Sequence, residues 1–161
     1  MGLIISKIDE KLQMKILLFI IKPDKQDILL LSQSEISKAV SQKPYIALID
    51  TGCNKSFIAK HIIDNENIEY NQTFSETKFQ TPNGIFIAKN YLLNFIIPSS
   101  IKIANVNDTN KNLPPIQYTP VKWLFSVNNH LKDQCIDFVI GMDILKEMSL
   151  SIFGGSFSLS W

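Results

Sequence analysis

Tyr45-Ile46-Ala47-Leu48-Ile49-Asp50-Thr51-Gly52 is an apolar run that ends in an acid, a hydroxyl and a glycine. The run reads as a core strand and the three residues after it as a tight turn. A carboxylate delivered by a buried strand is costly to desolvate, so Asp50 is a candidate functional group. Asp-Thr-Gly alone is weak evidence, because Asp and Gly are ordinary turn formers. A second segment adds weight. Ile136-Asp137-Phe138-Val139-Ile140-Gly141-Met142-Asp143-Ile144-Leu145 is another β-branched apolar run, followed by Gly and a short helix-like stretch.

Around these two segments the signals are mostly those of strands. Leu12 to Ile21, Ile28 to Leu31, Tyr45 to Ile49, Thr77 to Phe79, Ile85 to Ala88, Tyr91 to Ile97, Ile101 to Val106, Val121 to Val127 and Ile136 to Ile140 are short and rich in Ile, Val, Phe or Tyr. Helical patterns are confined to Ser56 to Ile63, read as partly strand, and Asp143 to Met148, where Asp143 is expected to cap the helix start. Leu150-Ser151-Ile152-Phe153 and Phe157-Ser158-Leu159-Ser160-Trp161 alternate apolar and small polar residues around Gly154-Gly155, a hairpin signature. Residues 105–120, polar and containing prolines, read as a surface loop. The expectation is one domain over residues 1–161, with residues 1–40 as an amino-terminal strand region.

Composition narrows the function classes. The chain has 161 residues, 45% hydrophobic and 19% charged, with a formal net charge of +1. That is enough apolar material for one core and too little basic charge to attract nucleic acid. The longest apolar stretch, Ile16 to Ile21, is far short of the roughly 20 residues needed to span a membrane. Charges at Lys7, Asp9, Glu10 and Lys11 break any secretory leader, so Cys53 and Cys135 are read as thiols in a reducing compartment. Met1-Gly2-Leu3-Ile4-Ile5-Ser6 fits a loose acylation pattern, but no basic cluster follows it to strengthen a membrane anchor. His61 and His130 lie in no recognisable motif and read as surface or loop residues.

The order of strand, Asp-Thr-Gly, helix-like stretch, Asn-Gly hairpin, strand pair, Ile-Gly and short helix resembles the aspartic proteases of retroviruses, plant pararetroviruses and long-terminal-repeat retrotransposons. Ile49-Asp50-Thr51-Gly52-Cys53, with Phe57-Ile58-Ala59-Lys60 after it, is most similar to the caulimovirus type, and the resemblance covers residues 45–161. It implies a mostly β, retropepsin-like closed barrel with one or two short helices, working as a two-fold homodimer. Asp-Thr-Gly occurs only once here. Pepsin-like monomers carry two such turns, so a second copy would have to supply the partner carboxylate.

The resemblance also implies roles. Asp50, Thr51 and Gly52 would form the catalytic turn. Two Asp50 carboxylates would share one proton and activate a water, with no metal or other cofactor. Pro82, Asn83, Gly84 and Ile85 would form the tip of a flap closing over substrate. Ile140 and Gly141 would support the catalytic loop, with glycine at 141 because a side chain there would collide with it. The termini of two subunits would interleave in one sheet. Retroviral enzymes often carry Arg after this glycine, paired with an Asp four residues beyond the catalytic one. Here the two positions are Met142 and Asn54, so both charges are missing together and neither is stranded.

The implied substrate is an extended polypeptide within a viral or retroelement polyprotein, in the host cytoplasm or an assembling particle, with no nucleic-acid or membrane partner. Two alternatives are a cellular retropepsin-like domain of the ubiquitin-linked kind and a non-catalytic peptide-binding or dimerisation module of the same fold.

Overall fold

The structure is a computed structural model and describes residues 3–21, 38–41, 43–70, 75–82, 84–98 and 118–161. The expected strands Ile28 to Leu31 and Ile101 to Val106, and most of the expected 105–120 loop, lie outside these residues. Eleven strands are described. Six close a barrel in the order β2 (Met14–Ile21), β3 (Tyr45–Ile49), β9 (Phe138–Ile140), β4 (Phe57–Ala59), β8 (Tyr118–Asn128) and β7 (Asn90–Pro98).

The barrel closes around apolar side chains that alternate along its strands. In β3, Ala47 and Ile49 are buried while Tyr45, Ile46 and Leu48 are not. Phe95 and Phe125 meet edge to face at 5.5 Å, and Phe125 meets Phe138 at 5.3 Å. All three rings are fully buried. Truncating one of them to Ala would cost about 3–5 kcal/mol.

The central pairing is parallel: Ala47, Leu48 and Ile49 lie opposite Phe138, Val139 and Ile140. Both strands therefore end at the same rim, which brings Asp50 and Gly141 together. β4 inserts between β9 and β8 and leads directly into helix α1 (Lys60–Asn65).

Element boundaries differ from the expectations for local reasons. β2 begins at Met14, not Leu12, because the Asp9 carboxylate accepts hydrogen bonds from the N–H groups of Lys11 and Gln13 and holds residues 9–13 in a turn. β8 extends back to Tyr118, so the expected loop ends before Pro120. Helix α2 spans Met142–Leu145, with Gly141 at its N-cap position. Asp143 lies in the first turn and not at the cap position; its carboxylate accepts the Ile144 N–H at 3.0 Å and also bonds to Ser56. Among the described residues no helix is long and apolar enough to cross a membrane.

The chain ends form a separate three-stranded sheet in the order β1 (Leu3–Lys7), β11 (Ser156–Ser160), β10 (Ser149–Phe153). Gly154 and Gly155 have φ of +51° and +73°, as the two-residue hairpin turn requires. The expected hairpin is present, and within this chain β11 pairs with β1 along its other edge.

Candidate active site

Asp50 is half-buried at the rim where β3 leaves the barrel. Its backbone N–H donates to the Ile140 carbonyl at 3.1 Å, continuing the parallel ladder one residue past the strand. The chain then reverses: the Cys53 N–H donates to the Asp50 carbonyl at 3.2 Å, and the Gly52 N–H donates to Asp50 Oδ1 at 2.9 Å. The turn thus points a backbone donor at its own carboxylate. Thr51 and Gly52 are exposed on its outer side.

A cradle holds this turn from behind. A Cβ at Gly141 would lie 2.5 Å from the Lys55 carbonyl oxygen and 2.8 Å from that of Cys53. Only glycine fits. The Met142 N–H donates to the Cys53 carbonyl at 2.7 Å, and the Gly141 N–H donates to Ser56 Oγ at 2.9 Å. Ser56, only 1% exposed, donates its own hydroxyl to Asp143 Oδ1 at 2.7 Å, while its N–H donates to Asp143 Oδ2 at 3.2 Å. Ser56 and Asp143 thus clamp the start of α2 to the end of the Asp50 loop. Sequence reasoning missed Ser56, whose type and spacing give no signal for this contact.

Burial pushes the Cys53 thiol up from its ordinary range, the Lys55 backbone partly opposes this, and the Asp50 and Asp143 carboxylates add to the rise. Such a thiol is poorly suited to act as a nucleophile. Cys53 and Cys135 are both free.

Asp137 is half-buried, not solvated as an acid preceding a strand would suggest. Its Oδ2 accepts the Ile46 N–H at 2.9 Å, and its Oδ1 lies 3.3 Å from His61 Nε2. This ties His61, on α1, to the start of β3, so His61 is a packed residue and not a surface one. Among the described residues no group of three or more His, Cys, Asp or Glu is placed to hold a metal ion.

The second part of the candidate site is the hairpin of β5 (Thr77–Thr81) and β6 (Gly84–Ala88). Thr81 pairs with Gly84, so Gly84 opens β6 and is not a central residue of the turn. The fixed φ of Pro82 suits the first central position of a turn and draws the reversal one residue earlier. Asn83 itself lies outside the described residues. Phe79 stacks on Phe86 at 4.8 Å and packs on Phe57 of β4 at 5.0 Å. Ile85, on the opposite face, is 72% exposed.

At the hairpin base, Asn90 is 2% exposed and donates from Nδ2 to Thr77 Oγ1 at 3.0 Å and to the Ser75 carbonyl. Ser126 donates to Asn90 Oδ1 at 2.8 Å. The base is therefore fixed to the barrel.

No protein-family model matches the sequence, and no curated protein matches it. Among solved structures the chain is similar to the crystal structure of a retropepsin-like aspartic protease from Rickettsia conorii, with a TM-score of 0.57 over 99% of this chain and 91% of that one. The fold is retropepsin-like. At 15% sequence identity the likeness is one of fold. Within this retropepsin-like barrel, Asp50, Gly52, Ile140 and Gly141 converge on one rim. A cavity of about 780 Å³, lined in part by Lys60, Ile63, Phe86, Tyr91 and His130, opens between α1, β6 and the end of β8. Asp50 is not among its described lining residues, so this cavity flanks the hairpin and not the turn.

Proposed function

We propose that this chain is one half of an aspartic endopeptidase that cuts extended polypeptides, with Asp50 from each of two copies at a shared two-fold centre. One observation carries the reading. A barrel strand delivers a single half-buried carboxylate into a turn that donates the Gly52 N–H to it, and a glycine cradle fixes that turn from behind. The chain holds one Asp-Thr-Gly, and one carboxylate cannot act as base and acid in the same step.

In this reading one Asp50 is ionised and takes a proton from water, while the partner copy's Asp50 is protonated and donates to the scissile carbonyl oxygen. Water adds to the carbonyl carbon, the C–N bond then breaks, and the leaving amine takes a proton from the pair. Thr51 would bond across the axis and fix the two turns. The β5–β6 hairpin, with Pro82, Asn83, Gly84 and Ile85 at its tip, would cover the substrate. An extended peptide would bind as a strand, gaining backbone hydrogen bonds for affinity and alternate pockets for selectivity.

The most similar motifs favour processing of a pararetroviral or retroelement polyprotein. A cellular role is the second reading, favoured by the origin of the similar structure in a bacterium. Cleavage of a panel of long unstructured polypeptides from pH 4 to 7, with and without pepstatin, tests the chemistry. Acid-favoured, pepstatin-sensitive cleavage that is lost in Asp50→Asn supports it. Cleavage that survives Asp50→Asn contradicts it.

A further inference from the structure

The cavity beside the hairpin has a shape and a charge that the Asp50 turn does not use. We propose that it binds an extended polypeptide segment of alternating apolar and acidic residues, added as a strand along the outer edge of β6. Such binding is independent of catalysis at Asp50. In the two-stranded sheet β5-β6, β6 has β5 as its single neighbour among the described residues, so along its other edge alternate N–H and C=O groups have no strand partner. Phe86, Ile87, Ala88 and Lys89 all line the cavity. Successive side chains of a strand point to opposite faces, so a cavity touched by four in a row runs along the strand's edge. Open edges of this kind take peptides by strand addition.

The two faces of that edge differ, and the difference sets the pattern of the ligand. Phe86 and Ala88 face the barrel. Phe86 stacks on Phe79 at 4.8 Å yet remains 37% exposed, and Ala88 is buried. Ile63 of α1 and Val127 of β8 extend this apolar lining. Side chains of an added strand stand directly beside those of β6 on the same face, so positions next to Phe86 and Ala88 call for apolar residues.

Ile87 and Lys89 lie on the opposite face. Lys89 Nζ stands 4.8 Å over the Tyr70 ring and has no carboxylate partner among the described residues. Lys60 also lines the cavity, with its charge balanced by Asp64 at 2.8 Å. No Asp or Glu is among the described lining residues. Lys89 therefore leaves a positive charge unanswered, and an acid on the same face of the added strand would meet it.

The probe is a fluorescein-labelled octapeptide of alternating leucine and glutamate, added to Asp50→Asn protein so that it is not cut. Anisotropy is expected to saturate, and pepstatin is expected not to displace the probe. Lys89→Glu should weaken binding about fivefold or more, whereas Lys78→Glu, the same charge change on β5 opposite Ile87, should alter it by less than about twofold. A strand pairs with β6 along one edge. Methylating one alternate set of the peptide's amide nitrogens should therefore abolish binding, and methylating the other set should not.

Absence of saturable binding up to about 1 mM peptide, equal binding of a leucine-lysine analogue, or equal loss in Lys78→Glu and Lys89→Glu overturns the proposal. Binding that tolerates both methylated sets overturns the pairing along β6. Displacement by pepstatin would place the peptide in the Asp50 cleft, overturning this site while leaving the proposed catalysis standing. The expected binding by a protein whose wild type cuts no polypeptide would keep this site and remove that catalysis.

Discussion

The Asp50 turn and the β5–β6 hairpin differ in what holds them, and their glycines show it. Gly141 has ordinary backbone angles and no room: the Lys55 and Cys53 carbonyls occupy the space of a side chain. Gly84 has all the room it needs and an unusual backbone, with φ at +118° and nothing within 4 Å of where a Cβ would stand. The first glycine permits a close approach between two loops, and the second permits a chain reversal. The turn is thus locked by packing on several sides, whereas the hairpin is fixed at its base by Asn90, Thr77 and Ser126 and exposed at Thr81, Pro82 and Gly84.

The largest effect should come from filling the close approach. Gly141→Ala forces backbone against backbone and is expected to cost about 3 kcal/mol, lowering Tm by roughly 10 °C in a chain of this size. A thermal melt checks this; an unchanged Tm would mean that the cradle yields easily and the contrast between the two regions is weaker than drawn.

Next in size is the clamp behind the turn. Ser56→Ala leaves the Gly141 N–H and one bond to Asp143 unmet in a buried place, for a loss of about 2 kcal/mol. A double-mutant cycle in urea with Asp143→Asn should show coupling between the two positions. Simple additivity would separate them.

Tyr45 lies outside both regions but fixes the start of the strand that carries Asp50. Its hydroxyl bonds to the Glu66 carboxylate, and burial, followed by that carboxylate, raises the tyrosine far above its usual range. A raised acid contributes stability that is fully present below its unfolded value of about pH 10 and is lost as pH rises toward the folded value. Tyr45→Phe should therefore cost about 1 kcal/mol near neutrality, the low end for a half-exposed bond to a charged group. Urea midpoints taken from pH 7 to 11 should show wild type converging on the variant at the alkaline end; a constant gap would remove the linkage.

The smallest effect on global stability should follow the most radical change at the hairpin tip. Gly84→Val places a β-branched residue at a φ it rarely adopts, yet the strain stays in a two-stranded hairpin that can open on its own. Tm should move by less than about 2 °C. Peptide cleavage, in contrast, should show a raised KM or no turnover. Unchanged cleavage would refute a gating role for the hairpin.

Much of this architecture is readable along the chain because strands leave strong local signals. Tyr45-Ile46-Ala47-Leu48-Ile49 matches β3 residue for residue, and the apolar run through Ile140 contains β9. That these strands pair in parallel is seen only in the structure. The polar supports leave no such trace. Ser56 and Asp143 are separated by 87 positions, and neither type is distinctive until the fold brings them within 2.7 Å. Asn90 reads as a loop residue at the head of an apolar run, but it opens β7 because its amide is satisfied by Thr77 and Ser126 across the sheet. The turn at Pro82 illustrates a different limit. Asn-Gly and Pro-Asn are both good turn pairs, and the choice between them depends on the register of β5 against β6, which is set by the stacking of Phe79 on Phe86.

The central claim, that one active site needs Asp50 from two chains, is tested most directly by mixing. Wild-type protein, at a concentration where it is dimeric, is allowed to exchange with an equal amount of Asp50→Asn before cleavage is assayed. Random pairing leaves about half of the original wild-type pairs, so activity at constant wild-type concentration should fall to roughly one half, and further as more variant is added. Activity that stays constant however much Asp50→Asn is added would show that each chain works alone and would contradict the account.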